Sequence, residues 1–484
     1  MTSSLLKTPP ISIPELHRLD NGLTIVAQQM PVEAVNLSLW VNVGSAVESD
    51  AINGVAHFLE HMVFKGTPQL TMGEFERRIE ARGAIANAAT SQDYTQFYIT
   101  TAPSDFAALA PLQIDIVLNS LIPDEAFELE RLVVLEEIRR SDDNPRRRTF
   151  QRAMEIAFDR LPYRRSVLGT VDAIAQLQPQ QMRDFHATWY QPQSITASVV
   201  GNLPEAELIE IVADSFAKYT LDSRLRGTNS ERGSNAPCDG AAARLETTRA
   251  STRFPTPDYA VNVAQDSSAP AASRLPNASS HNGGNPRKRL APPEPPFTQI
   301  VRHEFVDPSL QQARLVMLWR VPGLVQLEQT YALDVLAAIL SQGRTSRLVR
   351  ELREEKGWVS NISASNLTQY LQGLFYISAQ MPVENLEMVE AAIASQIEKL
   401  QSTPVQESEI ARVGTQVANR FIFANETPSE RAGLYGYYQS LTGDLTLALE
   451  YPNKIQALIT ADIQAAAAQY LSPTAYGIVT TKPE

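Results

Sequence analysis

The chain has 484 residues, more than one domain at the usual size of roughly 100–200 residues, and its 43% hydrophobic and 20% charged content excludes wholesale disorder. A net charge of −12 repels polyanions, so nucleic acid is not an expected partner. The single cysteine, Cys238, excludes an intrachain disulfide and a cysteine-built metal cage, which leaves His and carboxylate for any metal.

The amino terminus shows no basic segment leading into an apolar stretch, and no apolar run approaches the roughly 20 residues a membrane span needs. A soluble, cytoplasmic protein is expected. In chain order, Leu23–Ala27 and Leu37–Val43 read as strands, Val55–Phe64 as a helix, and Asp124–Arg140 as a helix that Asp124 could cap. Ile195–Val200 is a strand. Residues 221–297 hold ten of the 31 prolines with much Ser, Ala, Asn and Arg and no sustained period, the composition of a disordered linker. A docking segment at Pro286-Arg-Lys-Arg289 is the functional alternative, while Cys238 in that polar stretch has no base beside it. Beyond it, Arg314–Trp319, Leu374–Ala379 and Ala475–Thr480 read as strands and Tyr331–Leu340 as a helix.

The flanking parts repeat. Ile174, Leu177, Met182, Trp189 and Pro192 recur as Ile455, Leu458, Ile463, Tyr470 and Pro473 at a constant offset of 281, each time followed by a β-prone run. The expected architecture is α+β, with two homologous halves, 1–220 and 298–484, each a mainly antiparallel sheet with helices packed on one face.

The chemistry concentrates in His57-Phe-Leu-Glu60-His61. An i, i+4 pair of imidazoles on one helix face can bracket a zinc ion, with Glu60 at the same edge; the bland alternative is two satisfied surface histidines. Catalytic zinc sites take three protein ligands, so a third must come from elsewhere. The acidic helix after Pro123 offers Glu125, Glu128, Glu130, Glu136 and Glu137. Glu130 and Glu137, seven residues apart, share a face, whereas Glu136 has Arg139 and Arg140 at i+3 and i+4. Spacing alone leaves ligand and solvated face both open for Glu137. His186, beside Phe185, Trp189 and Tyr190, reads as a packed histidine, since Ala467 stands at its place in the repeat.

Together with Asn87-Ala-Ala-Thr-Ser-Gln-Asp-Tyr-Thr95, Glu130 with Glu137, and Ser346-Arg-Leu348 with Leu352-Arg-Glu-Glu355, this motif makes the chain resemble the inverzincin zinc peptidases, which include pitrilysin, insulin-degrading enzyme and the mitochondrial processing peptidase. The resemblance covers residues 17–216 and 298–481. It implies a clam-like chamber, one Zn2+ per chain on His57, His61 and Glu137, the last 76 positions beyond His61, and Glu130 as a supporting carboxylate. It implies Glu60 as general base on metal-activated water in a zinc-dependent endopeptidase that cleaves unfolded peptides. Asn87 and Ala88 would contact substrate backbone on an edge strand, although Asn87 also suits a plain turn.

The second half lacks the motif and, by the same resemblance, closes the chamber and supplies an Arg and, seven residues on, a Tyr that position substrate. Arg353 matches the arginine; Ser360 stands where the tyrosine belongs. A homodimer or a homologous partner chain that completes the site is therefore expected, and the alternative function is a weakly active or inactive peptide-binding subunit of a two-chain peptidase.

Overall fold

The computed structural model describes residues 13–226 and 290–484. The first half runs β1 (Glu15–Arg18), β2 (Thr24–Gln29), β3 (Val35–Val41), α1 (Val55–Met62), α2 (Glu74–Glu80), β4 (Ile85–Thr90), β5 (Thr95–Thr101), α3 (Pro103–Leu118), α4 (Asp124–Asp142), α5 (Pro145–Ala157), α6 (Val171–Gln176), α7 (Pro179–Trp189), β6 (Ile195–Gly201) and α8 (Glu205–Arg226). The second runs β7 (Val301–Val306), β8 (Ala313–Pro322), α9 (Tyr331–Ser341), a wide helical turn at Val349–Glu355, β9 (Asn361–Leu367), β10 (Gln372–Met381), α10 (Leu386–Ser402), α11 (Glu407–Phe423), α12 (Pro428–Thr442), α13 (Thr446–Ala457), α14 (Thr460–Tyr470) and β11 (Gly477–Lys482).

The first sheet has the order β1-β2-β6-β3-β5-β4 and the second β7-β11-β8-β10-β9. Apart from the extra β1, the two orders match strand for strand, down to one parallel pair in each, β2 with β6 and β7 with β11. The fold is the expected α+β duplication. Alternation along β3 shows how each sheet is dressed. Val35, Leu37, Leu39 and Val41 enter the helix-covered core, while Asn36, Ser38 and Trp40 point the other way and are buried too.

That second burial comes from helix exchange between the halves. α5, capped by Asn144 and opened by Pro145, crosses to the second sheet and lays Phe150, Ala153, Met154 and Ala157 against Val316, Leu318, Tyr376 and Val479. α12, begun in the same way by Thr427 and Pro428, covers the reverse face of the first sheet, where Ala432 and Tyr435 meet Val26 and Val200 and the Tyr435 hydroxyl donates to Gln28 at 2.9 Å. Gly436 permits this approach, since a Cβ there would lie 2.0 Å from Nε1 of Trp40. Helices thus pack one face of each sheet from its own half and the other face from its neighbour.

Two sequence expectations change at the edges. Asp124 does not cap α4 from outside: it is the first helical residue and pairs with Arg183, and Pro123 precedes it. The stretch read as linker is shorter than 221–297. Residues 221–226 continue α8, and around 290–297 the chain packs, because Glu294 in the proline run is buried and meets three backbone donors. Its carboxylate accepts the N–H groups of Asp159, Arg160 and Leu161 and pairs with Arg320 at 3.0 Å. Residues 227–289, with Cys238 and Pro286-Arg-Lys-Arg289, lie outside the described residues. No helix among the described residues is long and apolar enough to cross a membrane.

A further link between the halves is the buried Asp307, paired with Arg148 of α5. Burial works to raise its pKa, but the hydrogen bonds from Ser309 and Arg148 outweigh it and hold the carboxyl down at about 2. A depressed folded-state pKa gives stability that is present above the unfolded value and lost as pH falls toward the folded one. Asp307→Asn should therefore lower the melting temperature at pH 6, and the gap to wild type should shrink as pH falls from about 4 to about 2. Calorimetry across that window checks it; a gap that is constant with pH would show that the pair contributes through packing alone.

Candidate metal centre

α1 is placed by its entry. Gly54 adopts φ 95°, and a Cβ there would lie 2.6 Å from the Leu168 carbonyl, so the chain turns into the helix only with glycine. The buried Glu48 then accepts the N–H groups of Gly54 and Ala56 at 2.8 Å each and the Asn53 amide at 2.9 Å. Burial pushes its carboxyl up to about 7 against those three hydrogen bonds and the nearby Arg165 charge. Val55, Ala56, Phe58, Leu59 and Met62 fill the core, which leaves His57, Glu60 and His61 on the remaining edge.

α4 is brought to that edge by Phe127, whose ring stacks on Phe58 with centroids 4.5 Å apart, and by Arg131, which grips the Ile174 and Ala175 carbonyls. Glu137 Oε2 then sits 3.6 Å from Nε2 of His57 and 3.5 Å from Nε2 of His61. Glu130, two turns earlier, accepts from Nδ1 of His61 at 2.9 Å and pairs with Lys65 at 2.6 Å. Glu60 lies alongside and accepts from the Thr90 hydroxyl at the end of β4.

The electrostatics follow from these contacts. Burial, helped by the His61 charge, pushes His57 down to about 3, so its imidazole is neutral and free to ligate. Burial also disfavours charge on His61, but the Glu130 hydrogen bond and the Glu137 and Glu60 carboxylates prevail and raise it. Glu130 resists burial through its bonds to His61 and Lys65 and is held down at about 2. Burial raises Glu60, against the Thr90 hydrogen bond.

His57, His61 and Glu137 form a group whose ligand atoms all lie within 4.8 Å of one another. Tetrahedral zinc with bonds of about 2.0–2.1 Å separates neighbouring ligand atoms by roughly 3.3–3.4 Å, close to both His–Glu distances here. The donor set fits: two imidazole Nε2 atoms, one of them fixed through Nδ1 by a carboxylate, and an oxygen on a side chain 38% exposed and open to an incoming molecule.

Other residues singled out by sequence fall elsewhere. Glu136 points away and pairs with Arg139 and Arg140. His186 is buried, with Nε2 2.8 Å from the Val117 carbonyl oxygen. Asn87 and Ala88 lie on β4, the edge strand, where the Ala88 N–H donates to Oδ1 of Asn87 at 2.9 Å. Arg353 is held by Glu354, and the Ser360 hydroxyl donates to Gln312 Oε1 at 2.8 Å and lies 3.1 Å from the Gln380 carbonyl. Sequence reading missed Lys65, Thr90 and Glu48. Lys65 was legible as i+4 from His61, and Glu48 holds the entry of α1 from six and eight residues upstream, whereas Thr90 reaches the site only through tertiary folding.

The profile described as Insulinase (Peptidase family M16) matches residues 24–171, and that described as Peptidase M16 inactive domain matches residues 176–417. An uncharacterized zinc protease of Rickettsia bellii is 24% identical over 465 residues, covering 96% of both chains. The crystal structure of a protease from Helicobacter pylori superposes with a TM-score of 0.77 at 23% identity, over 97% of this chain and 99% of that one. Pitrilysin matches with a TM-score of 0.68 at 18% identity; all of this chain covers 46% of the pitrilysin chain. With its second profile alone spanning half the length, and both sheets and the His-His-Glu group in place, the chain belongs to peptidase family M16.

Proposed function

We propose that the chain is a zinc-dependent endopeptidase acting on unfolded peptides, and the observation that carries this reading is the convergence of His57, His61 and Glu137 beside the half-buried Glu60. Zinc, when bound, polarises a scissile carbonyl and acidifies a water molecule. Glu60 takes the proton and returns it to the leaving amine, a task favoured by a carboxyl that burial raises above its ordinary value and Thr90 orients. Glu130 keeps His61 in the tautomer that offers Nε2. A peptide laid along β4 displaces the Asn87 side chain from the Ala88 N–H and adds as a further strand, with Asn87 free to contact it.

The half that ends with α8 is then the catalytic one, and the half from residue 290 onward a wall without the metal motif. Because Ser360 stands where a phenol is expected, the site is completed by a second chain, either another copy or a homologue. That chain's arginine at the position of Arg353 would reach the substrate.

A second reading, a peptide-capturing subunit with weak activity, rests on Ser360, whose hydroxyl is engaged by Gln312 and which lacks the reach of a phenol. Purified chain incubated with a fluorogenic peptide, with and without a chelator and then excess zinc, separates the two. Cleavage that stops with chelator and returns with zinc supports the peptidase. Zinc-loaded chain that binds peptide without cleaving it supports the subunit.

A further inference from the structure

We propose that the second half sets the position of the peptide-receiving strand β4 through Asp93, a positioning residue at the tip of the β4–β5 hairpin; the proposal deepens, and for its kinetic part rests on, the peptidase reading.

The hairpin turns over Ser91–Tyr94, with the Ser91 N–H donating to the Tyr94 carbonyl at 2.8 Å. Such tips usually lie in solvent, but here Gln92 and Asp93 are 7% and 5% exposed. From the first half, Ser45 and Ala46 donate their N–H groups to the Ser91 and Gln92 carbonyls, over a Gly44 whose Cβ would lie 2.2 Å from Ser91 O. From the second half comes the tip of the β9–β10 hairpin. One Asp93 oxygen accepts the Tyr370 N–H at 2.9 Å; the other accepts the hydroxyl of the fully buried Tyr163 at 3.2 Å. That hydroxyl accepts the Leu371 N–H in turn, at 3.1 Å. Gln369 donates to Gln92, whose amide donates to the Tyr163 and Arg165 carbonyls.

The clasp matters because of what the hairpin carries. β4 is paired on one side only, by β5, and its residues from Ile85 to Ala89 are exposed or half-buried. Its one buried residue, Thr90, adjoins the tip and holds Glu60. The end of the strand nearest the chemistry is therefore anchored through the tip, and two of the bonds that hold the tip, from Gln369 and Tyr370, belong to the half without a metal motif. Asp93→Asn keeps one accepting oxygen for two donors, the Tyr370 N–H and the Tyr163 hydroxyl, so one of them faces an NH2 group, and the penalty falls on the hairpin rather than on α1 or α4.

The test uses the full, zinc-loaded chain as wild type, Asp93→Asn and Tyr163→Phe. Amide hydrogen exchange at residues 85–90 should be faster by roughly tenfold in both variants, with α1 and α4 unchanged. Bound zinc should stay as in wild type, while KM for a fluorogenic peptide rises by about tenfold and kcat, through the Thr90–Glu60 contact, falls by less than KM rises. Unchanged exchange in β4 in either folded variant overturns the proposal, as does a loss shared equally by zinc content and kcat. If Asp93→Asn does not fold, Tyr163→Phe, which removes a single hydroxyl, decides. Wild-type chain that cleaves no peptide would sink the peptidase reading alone, because the exchange measurement stands without turnover.

Discussion

Glu60→Gln should keep its metal and lose roughly 10²–10⁴-fold in kcat, the usual contribution of a positioned general base. The side chain is not one of the three that surround the ligand position, so the ligand atoms and their geometry are preserved. Gln can still accept the Thr90 hydroxyl, which keeps the side chain in place, but it cannot take up a proton. Activity on a fluorogenic peptide and elemental analysis of the same sample check both halves of the expectation. A variant that loses metal along with activity would move Glu60 into the ligand set.

Glu130→Gln should weaken metal binding by about 10–100-fold, as removal of an outer carboxylate from a ligating histidine commonly does. Glu130 is ionised well into the acid range because His61 and Lys65 both bond to it. A neutral amide keeps the shape but gives His61 a poorer acceptor, so Nδ1–H is held less firmly and Nε2 becomes a weaker base. Competition with a calibrated chelator measures the change. Lys65→Met should shift affinity in the same direction by less, since it leaves the His61–Glu130 bond in place; an effect of Lys65→Met larger than that of Glu130→Gln would contradict this order.

What was legible in the sequence is what short-range geometry dictates. His57, Glu60 and His61 fall on one helical turn, and Glu130 and Glu137 two turns apart, so their faces follow from the helix period alone. That these two faces meet depends on Phe58 stacking on Phe127, a contact no local pattern announces. The apolar stripe Phe150, Ala153, Met154, Ala157 has plain helical spacing, yet nothing in it says that α5 serves the other half's sheet. Composition misjudged residues 290–297, because prolines mark extended chain as readily as disorder, and one carboxylate, Glu294, meeting three backbone N–H groups is enough to dock it. The clasp at Asp93 was invisible for the same reason as Thr90: both depend on strand register fixed from afar.

Zinc content per chain in wild type, Glu137→Gln and Glu136→Gln tests the central claim most directly. These neighbouring glutamates differ only in direction, one turned to both histidines and the other to Arg139 and Arg140. After zinc loading and gel filtration, wild type and Glu136→Gln should retain about one zinc per chain and Glu137→Gln should lose most of it, as removal of one of three protein ligands requires. Wild type that retains no zinc, or zinc that is stripped by Glu136→Gln and kept by Glu137→Gln, would contradict the account.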